Sequence, residues 1–178
     1  MPDISHEIIK KYFDAGNQAK TTFEKGRALE DLVCYLFEQV PGVSIGKRNT
    51  LNTFKSEEID VAFWNRMDVD GFYFLPNIIL VECKNWSQPV GSEEVNWFDS
   101  KLKRRGQPFG ILIAANGITG NSQKVEAAHE IIRVALSEGR QLIVITKVEI
   151  ENLRFTEQLV RLIQEKLCEL VVSGTLFL

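Results

Sequence analysis

Near the start of the chain, apolar residues recur at helical spacing. Residues 4–14 predict an amphipathic helix that ends near Gly16. A second helix is predicted from about Thr21 to Gln39, because an apolar stripe runs along it and Pro41-Gly42 would stop it. Gly26 lies inside this second helix, where a missing side chain would let the helix pack close to a sheet.

The rest of the chain alternates short apolar runs with further helical patterns. Strands are predicted at Val43–Asn52, Glu57–Trp64, Asn77–Lys84, Phe109–Ala115 and Leu142–Thr146. Helices are predicted from Ser92 to Gly106, from Asn121 or Ser122 through Glu138, and from about Thr156 to Val171. This order indicates an α/β sandwich whose sheet begins antiparallel and ends with right-handed parallel crossovers.

Length and composition favour a single domain over residues 1–178. Of the 178 residues, 44% are hydrophobic and 25% are charged, as in an ordinary globular protein. We expect an N-terminal helix at 1–16, a core at 20–146, and a C-terminal helix and tail at 147–178. No apolar stretch is long enough for a membrane span and the start does not resemble a secretory signal. Three scattered cysteines argue against a disulfide framework and favour the cytoplasm.

The formal net charge of −3 argues against a large surface for nonspecific electrostatic binding of nucleic acid. It does not exclude nucleic-acid chemistry, because carboxylates that hold a metal ion count as negative until the ion is bound. No Cys or His pair has the spacing of a structural zinc site.

Two opposite charges end the predicted strand Asn77–Lys84. Alternation along a strand puts Glu82 and Lys84 on one face and Cys83 on the other. Either the strand simply ends there and both side chains reach water, or the two charges belong to a functional site.

Two further acids occupy positions where the pattern favours apolar residues. Asp60 lies inside the strand Glu57–Trp64, although aspartate is a poor strand former. It is either a solvent-facing position or a site residue. Glu30 shares one side of its helix with Val33, where burial is costly unless the charge is paired. It is either the ion-pair partner of Arg27 or a site residue.

Together these residue types suit metal-assisted hydrolysis at phosphorus. Mg²⁺ needs oxygen ligands and keeps several waters, so two carboxylates from neighbouring strand ends and the intervening backbone carbonyl supply a suitable face. A lysine two residues after one of them lies on the same side, where it can orient water and stabilise charge on a phosphate. The ion would act as Lewis acid, template and water activator.

The segments Ile59-Asp60 and Val81–Trp86 resemble the D…ExK signature of the PD-(D/E)xK, or restriction-endonuclease-like, nucleases. Phe23–Glu30 resembles the helix that carries a further acid in that superfamily, and the nearest group is the Mrr-type restriction endonucleases. The resemblance covers about Thr22 to Thr146. It implies an αβββαβ core with a central mixed sheet flanked by helices.

The resemblance also implies a Mg²⁺-dependent (or Mn²⁺-dependent) endonuclease that hydrolyses phosphodiester bonds, expected to act on DNA. By position, the catalytic residues would be Glu30, Asp60, Glu82 and Lys84. Asp60 and Glu82 would bind the metal with the Cys83 backbone carbonyl, Lys84 would position the nucleophile, and Glu30 would reach the metal through water or bind a second ion. The interval from Asp60 to Glu82 is long, so Asn65–Leu75 would form a hairpin insertion.

Several features leave alternatives open. The basic run Lys101, Lys103, Arg104 and Arg105 would either contact nucleic acid or satisfy a helix C-terminus and solvate the surface. Trp86 would either stack on a base or pack. The apolar tail Thr175–Leu178 would pair as an edge strand or join a homodimer. The non-enzymatic alternatives are a nucleic-acid-binding module without catalysis and an assembly scaffold in which the four charged residues form an ion-pair cluster.

Overall fold

The computed structural model describes residues 3–51, 58–120 and 127–176, and its helices and strands follow the predicted order. The helices are α1 (His6–Gln18), α2 (Thr22–Glu38), α3 (Ser92–Arg104), α4 (Ala127–Ser137), α5 (Lys147–Glu151) and α6 (Thr156–Ser173). The strands are β1 (Val43–Leu51), β2 (Glu58–Asn65), β3 (Ile78–Lys84), β4 (Phe109–Ala114) and β5 (Gln141–Ile145). Outside the described residues lie the predicted strand ends at Asn52 and Glu57, the α4 start at Asn121 or Ser122, and Phe177 and Leu178.

The five strands form one mixed sheet in the order β1-β2-β3-β4-β5. The β1–β2 and β2–β3 pairs are antiparallel, and the β3–β4 and β4–β5 pairs are parallel. The predicted α/β class, an αβββαβ core with a mixed sheet flanked by helices, is therefore confirmed. Strand β3 is central and buried from Ile79 to Cys83, which explains why its sequence is a continuous apolar run.

One face of β2 and β3 packs against α2. The Phe37 ring of α2 stacks on Phe63 of β2 with their centroids 4.8 Å apart. Phe63 lies opposite Ile79 of β3. Because side chains alternate along a strand, Cys83 shares this α2 face with Ile79.

The other face of β3 packs against α3. Leu80 lies opposite Gly110 of β4. A Cβ atom at Gly110 would lie only 2.7 Å from a methyl carbon of Leu102, so a larger residue there would require the Leu102 side chain or α3 to shift. Glu82 and Lys84 follow Leu80 at intervals of two and therefore start from the α3 face.

The expected hairpin insertion between β2 and β3 is wrong. Residues 66–77 form turns without a strand. The fully buried Asn65 holds this loop, since its side-chain amide donates hydrogen bonds to the carbonyls of Phe72 (2.8 Å) and Leu75 (3.3 Å). Phe72 packs on Phe37 with ring centroids 5.6 Å apart. The insertion therefore extends the core.

The end of one helix and the presence of another differ from the predictions for identifiable reasons. Helix α1 continues past Gly16 to Gln18, because the glycine serves packing: a Cβ there would lie 2.9 Å from the side-chain amide of Asn85. The short helix α5 was not predicted, and its N-terminus is held by a capping box between Thr146 and Glu149. None of the described helices has the length and apolar character needed to cross a membrane.

Candidate active site

Asp60 and Glu82 come from neighbouring strands at the place where the pairing of those strands ends. The β2–β3 register runs only as far as Val61 opposite Val81. Beyond it, the Asp60 Oδ2 accepts a hydrogen bond of 2.7 Å from the backbone N–H of Cys83. The carboxylate satisfies a donor that must otherwise be paired inside the protein, and this contact fixes its position beside β3.

The environment of Asp60 strongly disfavours its negative charge. Burial raises the pKa of Asp60, and the charge of Glu82 raises it further, to about 7. The hydrogen bond from Cys83 and the charge of Lys84 act in the opposite direction without outweighing burial. Two carboxyl groups that repel each other in a partly buried place favour the binding of a proton or a cation.

Glu82 is buried between two lysine ammonium groups. The Lys84 Nζ lies 3.0 Å from Glu82 Oε1. The Lys101 Nζ lies 2.9 Å from Oε1 and 2.8 Å from Oε2. The alternative in which Glu82 and Lys84 both reach water is wrong for Glu82, whose side chain is only 4% exposed.

Lys84 is held in its charged form. Burial alone would lower the pKa of Lys84, but the charge and hydrogen bond of Glu82, together with the charge of Asp60, raise it above its ordinary value. Lys84 therefore keeps its proton at neutral pH, and in that form it stabilises negative charge and does not act as a base. Burial also raises the pKa of the Cys83 thiol well above its usual value, so the thiol is unreactive.

Glu30 belongs to a polar cluster between α2 and β1. Its Oε2 lies 3.2 Å from Arg27, 3.4 Å from Arg48 and 3.1 Å from the Asn49 amide. The ion pair with Arg27, one of the two interpretations of this acid, is therefore present. The charge of Glu30 is also among the causes that raise the pKa of Asp60, so the cluster acts electrostatically on the site.

The basic run at the end of α3 divides into different environments. Lys103 is exposed and lies 3.2 Å from Glu138, and the Arg104 guanidinium lies 5.5 Å from the centre of the Trp97 ring. The Arg105 side chain donates to the Lys101 carbonyl at 3.3 Å, which confirms that part of the run satisfies the helix C-terminus.

Lys101 lies apart from the rest of the run, because its side chain is buried in the candidate site. Neither of the two interpretations of the run, contact with nucleic acid or a solvated helix end, included the contact of Lys101 with Glu82. A signal was available, since Lys101 follows Phe98 by three residues and precedes Leu102, and so lies on the apolar stripe of α3. A lysine on a stripe that faces a strand ending in Glu82 indicates a buried ion pair.

The residues present fit a hard divalent cation. Asp60 and Glu82 provide carboxylate oxygens, and the Cys83 carbonyl lies on the strand that carries Glu82. Among residues 3–51, 58–120 and 127–176, no three His, Cys, Asp or Glu side chains form a metal-binding group. An ion at this place would thus rely on two side-chain carboxylates and water, as Mg²⁺ often does.

A cavity of about 340 Å³ adjoins Lys84 on the α2 side of β3. Its lining includes Thr22, Lys25 and Gly26 of α2, and Lys84, Trp86 and Ser87 at the end of β3. The expectation that Gly26 allows close packing is wrong, because a Cβ built there meets no heavy atom within 4 Å beyond its own helix. Position 26 therefore borders open space.

Comparison with known protein families gives a match over most of this region. A family model described as Mrr_cat, restriction endonuclease, matches residues 24–145, which is more than half of the chain. The matched segment contains every charged residue of the candidate site, from Glu30 to Lys101. No curated protein matches the chain.

Proposed function

The chain belongs to the Mrr-type restriction endonuclease family, a family of the PD-(D/E)xK type, and from this premise we propose that it is a Mg²⁺-dependent endonuclease. Membership implies a DNA nuclease. The finer proposal is that Asp60, Glu82 and Lys84 form the reaction centre, that Mg²⁺ or Mn²⁺ is the cofactor, and that the substrate is a phosphodiester bond of DNA.

The convergence of Asp60 and Glu82 at the same strand end carries this proposal. The Asp60 carboxylate accepts a 2.7 Å hydrogen bond from the Cys83 N–H, next to Glu82. Burial and then the charge of Glu82 raise the pKa of Asp60 to about 7, although Lys84 lies nearby. A purely structural ion-pair cluster gains nothing from a second carboxylate that is held partly protonated. A site that receives a divalent cation does, since the ion offsets both negative charges.

Each residue has a distinct task in this proposal. Asp60 and Glu82, with the Cys83 carbonyl, hold the ion, which when bound supplies Lewis-acid stabilisation of charge on the phosphate. The Cys83 N–H keeps the Asp60 carboxylate in place through its 2.7 Å hydrogen bond. Lys84 donates a hydrogen bond to the attacking water and stabilises negative charge on the phosphate oxygens.

The surroundings of this centre give the remaining assignments. We assign Glu30 to the site as an acid that acts through water, because its charge influences Asp60. Lys101 reaches Glu82 from the last part of α3, so Lys103, Arg104 and Arg105 lie about one helical turn away and would contact the phosphate backbone. A homodimer would bring two such centres to two strands, and the free cysteines suit the cytoplasm.

Cleavage of circular DNA tests the proposal directly. We expect nicked or linear product with Mg²⁺ or Mn²⁺ and none with EDTA. Asp60→Asn should lower the rate on the order of a hundredfold or more, because the site loses a charged ligand. Asp70→Asn, which changes an exposed acid in the β2–β3 loop, is the matched control. Equal rates for the wild type and Asp60→Asn would assign the activity to another site or to a contaminant.

One observation favours a second candidate, a catalytically silent DNA-binding or assembly module. Glu82 already has two ammonium partners, as in a structural ion-pair cluster. In such a module the double change Glu82→Leu with Lys101→Leu would leave the stability unchanged or raise it. Calorimetry separates the two candidates: the nuclease binds Mg²⁺ and loses it with Asp60→Asn, and the silent module shows no Asp60-dependent Mg²⁺ binding.

A further inference from the structure

The cavity beside Lys84 has walls that are held in place from two directions. The Asn85 side-chain amide donates a hydrogen bond of 2.9 Å to the Lys25 carbonyl, which ties the end of β3 to α2. The Trp86 carbonyl accepts a hydrogen bond from the Asn116 side chain, which ties the same segment to the turn after β4. The cavity therefore lies between α2 and the end of β3, and hydrogen bonds fix the position of both walls.

The size of the cavity restricts what it can hold. Its volume of about 340 Å³ lies at the lower end of the range for small-ligand sites, roughly 300–1,000 Å³. That volume suits a ligand of about the size of one nucleotide.

The lining has the chemistry that a nucleotide needs. Trp86 is 42% exposed, so much of its indole surface is open to a planar ligand. Lys25 and Lys84 contribute two positive charges, and none of the described residues that line the cavity is acidic. Thr22 and Ser87 add hydroxyl groups that can donate and accept hydrogen bonds.

The cavity is connected to the proposed reaction centre through Lys84. The Lys84 Nζ lies 3.0 Å from Glu82 and 5.9 Å from the centre of the Trp86 ring. A base stacked on the Trp86 indole and a phosphate bound beside Glu82 would therefore both lie near the Lys84 ammonium group.

We propose that this cavity binds one unpaired nucleotide of the DNA substrate, next to the phosphate that is cleaved, with its base stacked on Trp86 and its phosphate on Lys25. The inference rests on the proposed nuclease function. A base can reach the indole face only when it has left its own stack, so the substrate must be single-stranded at this position or must release a base from the duplex.

Tryptophan fluorescence tests the inference, because the chain offers a matched control. It has three tryptophans, and Trp64, Trp86 and Trp97 have similar exposed fractions of 49%, 42% and 46%. The variant Trp64→Phe with Trp97→Phe keeps Trp86 alone, and Trp64→Phe with Trp86→Phe keeps Trp97 alone. Both are titrated in EDTA, which prevents metal-dependent cleavage.

Three DNA probes of equal length are used: an oligothymidine strand, a perfect duplex, and a duplex with one extra unpaired thymidine. We expect saturable quenching of Trp86 by the strand and by the bulged duplex, with at least roughly tenfold weaker binding of the perfect duplex. Trp97 should not show this selectivity. Equal affinity of Trp86 for all three probes, or no quenching by any of them, would overturn the inference.

Gly26 provides a variant that fills the cavity without disturbing the fold. A side chain at position 26 enters open space, and leucine favours a helix more than glycine does. In the protein that keeps Trp86 alone, Gly26→Leu should leave the melting temperature unchanged or raise it. It should weaken binding of the oligothymidine strand on the order of ten- to a hundredfold, which corresponds to the binding free energy of one stacked base. Unchanged binding by a well-folded Gly26→Leu protein would place the base elsewhere.

The outcomes separate this inference from the proposed nuclease function. If the wild type cleaves DNA with Mg²⁺ but Trp86 does not respond to unpaired DNA, the cavity assignment is wrong and the nuclease proposal stands. If Trp86 responds selectively and the protein never cleaves DNA, the cavity does bind an unpaired nucleotide, but the nuclease proposal and the position next to a cleaved phosphate are wrong.

Discussion

Lys101 and Glu82 form a buried, two-pronged ion pair between α3 and β3. The Lys101 Nζ lies 2.9 and 2.8 Å from the two carboxylate oxygens, and the two side chains are only 5% and 4% exposed. Any cation that binds Glu82 must share it with this ammonium group. The pair therefore links the position of α3 to the affinity of the proposed metal site.

Replacing Lys101 should strengthen metal binding in the absence of DNA. Lys101→Met keeps most of the aliphatic length and removes a positive charge from the carboxylate that would hold the ion. We expect the dissociation constant for Mg²⁺, measured by calorimetry, to fall by about tenfold. Lys103→Met, on the exposed side of the same helix, is the control and should change nothing. Identical Mg²⁺ affinity in the wild type and Lys101→Met would mean that the ammonium group does not compete.

The raised pKa of Asp60 predicts a specific dependence of stability on pH. Well below pH 3.8 the Asp60 carboxyl is protonated in both the folded and the unfolded protein, so it does not make stability depend on pH. Between pH 3.8 and about 7 this carboxyl ionises readily only in the unfolded chain. The free energy of unfolding therefore falls as the pH rises through this range. Asp60→Asn removes this effect and keeps an acceptor for the Cys83 N–H. We expect the variant to be more stable than the wild type by up to about 4 kcal/mol at pH 8, because the pKa of Asp60 rises from 3.8 to about 7 on folding, and by much less at pH 4.

Denaturant unfolding at both pH values checks this prediction. Asp70→Asn serves as the control because Asp70 is exposed in the β2–β3 loop. Saturating Mg²⁺ should reverse the order at pH 8, since an ion that binds only the folded wild type stabilises it. A constant difference between wild type and Asp60→Asn across the pH range would contradict the assigned pKa.

Lys84 should matter for cleavage more than for metal binding. Lys84→Met removes the charge that would stabilise the phosphate, so we expect single-turnover cleavage to slow on the order of a hundredfold or more. Mg²⁺ binding should persist or become tighter, because the acids remain. Lys84→Arg keeps the charge with a different shape and should retain part of the rate. Loss of Mg²⁺ binding together with cleavage in Lys84→Met would show a role in assembling the site.

Glu30 has two interpretations that a pair of variants can separate. If it acts on the reaction, Glu30→Gln should lower cleavage by at least about tenfold with little loss of stability, because its ion pairs are partly exposed. Arg27→Gln removes the 3.2 Å ion-pair partner and should leave cleavage intact. Equal, small losses of stability in both variants with no change in cleavage would leave Glu30 as a structural residue only.

Gly110 lies where α3 packs on the sheet, so a larger residue at this position should change both the stability of the protein and its rate of DNA cleavage. In Gly110→Ala the new methyl group would lie 2.7 Å from Leu102 and 2.9 Å from Phe98, so these side chains or α3 itself must shift. We expect a loss of about 1–3 kcal/mol in unfolding free energy. The cleavage rate of the folded protein should also change, because a shift of α3 would move Lys101 relative to Glu82. Normal stability and cleavage would show that α3 adapts freely.

The sequence allowed the sheet and its three central charges to be predicted because alternation along a strand is a local property. The run around Val81 identified a buried strand, and its period of two put Glu82 and Lys84 on one face. Asp60 was anomalous within its own strand. These inferences need only neighbouring residues, and the fold that they predicted is the observed one.

Features that depend on contacts between distant segments were not predicted. The pairing of Lys101 with Glu82 depends on how closely α3 packs on the sheet, where Gly110 of β4 leaves room for the side chains of Leu102 and Phe98. The segment Asn65–Leu75 was expected to form a hairpin, but the Asn65 side chain donates hydrogen bonds to three backbone carbonyls and holds the segment as a loop against the core. Local patterns do not encode such distances.

The two faces of β3 carry different features of the candidate site. Its α3 face carries the carboxylate chemistry, its α2 face borders the cavity beside Trp86, and Lys84 lies at the junction. The residues of α2 that line the cavity can therefore vary with little effect on the reacting charges. Under the proposed assignments, substitutions at Thr22, Lys25 and Gly26 would change substrate preference while Asp60, Glu82 and Lys84 keep their positions.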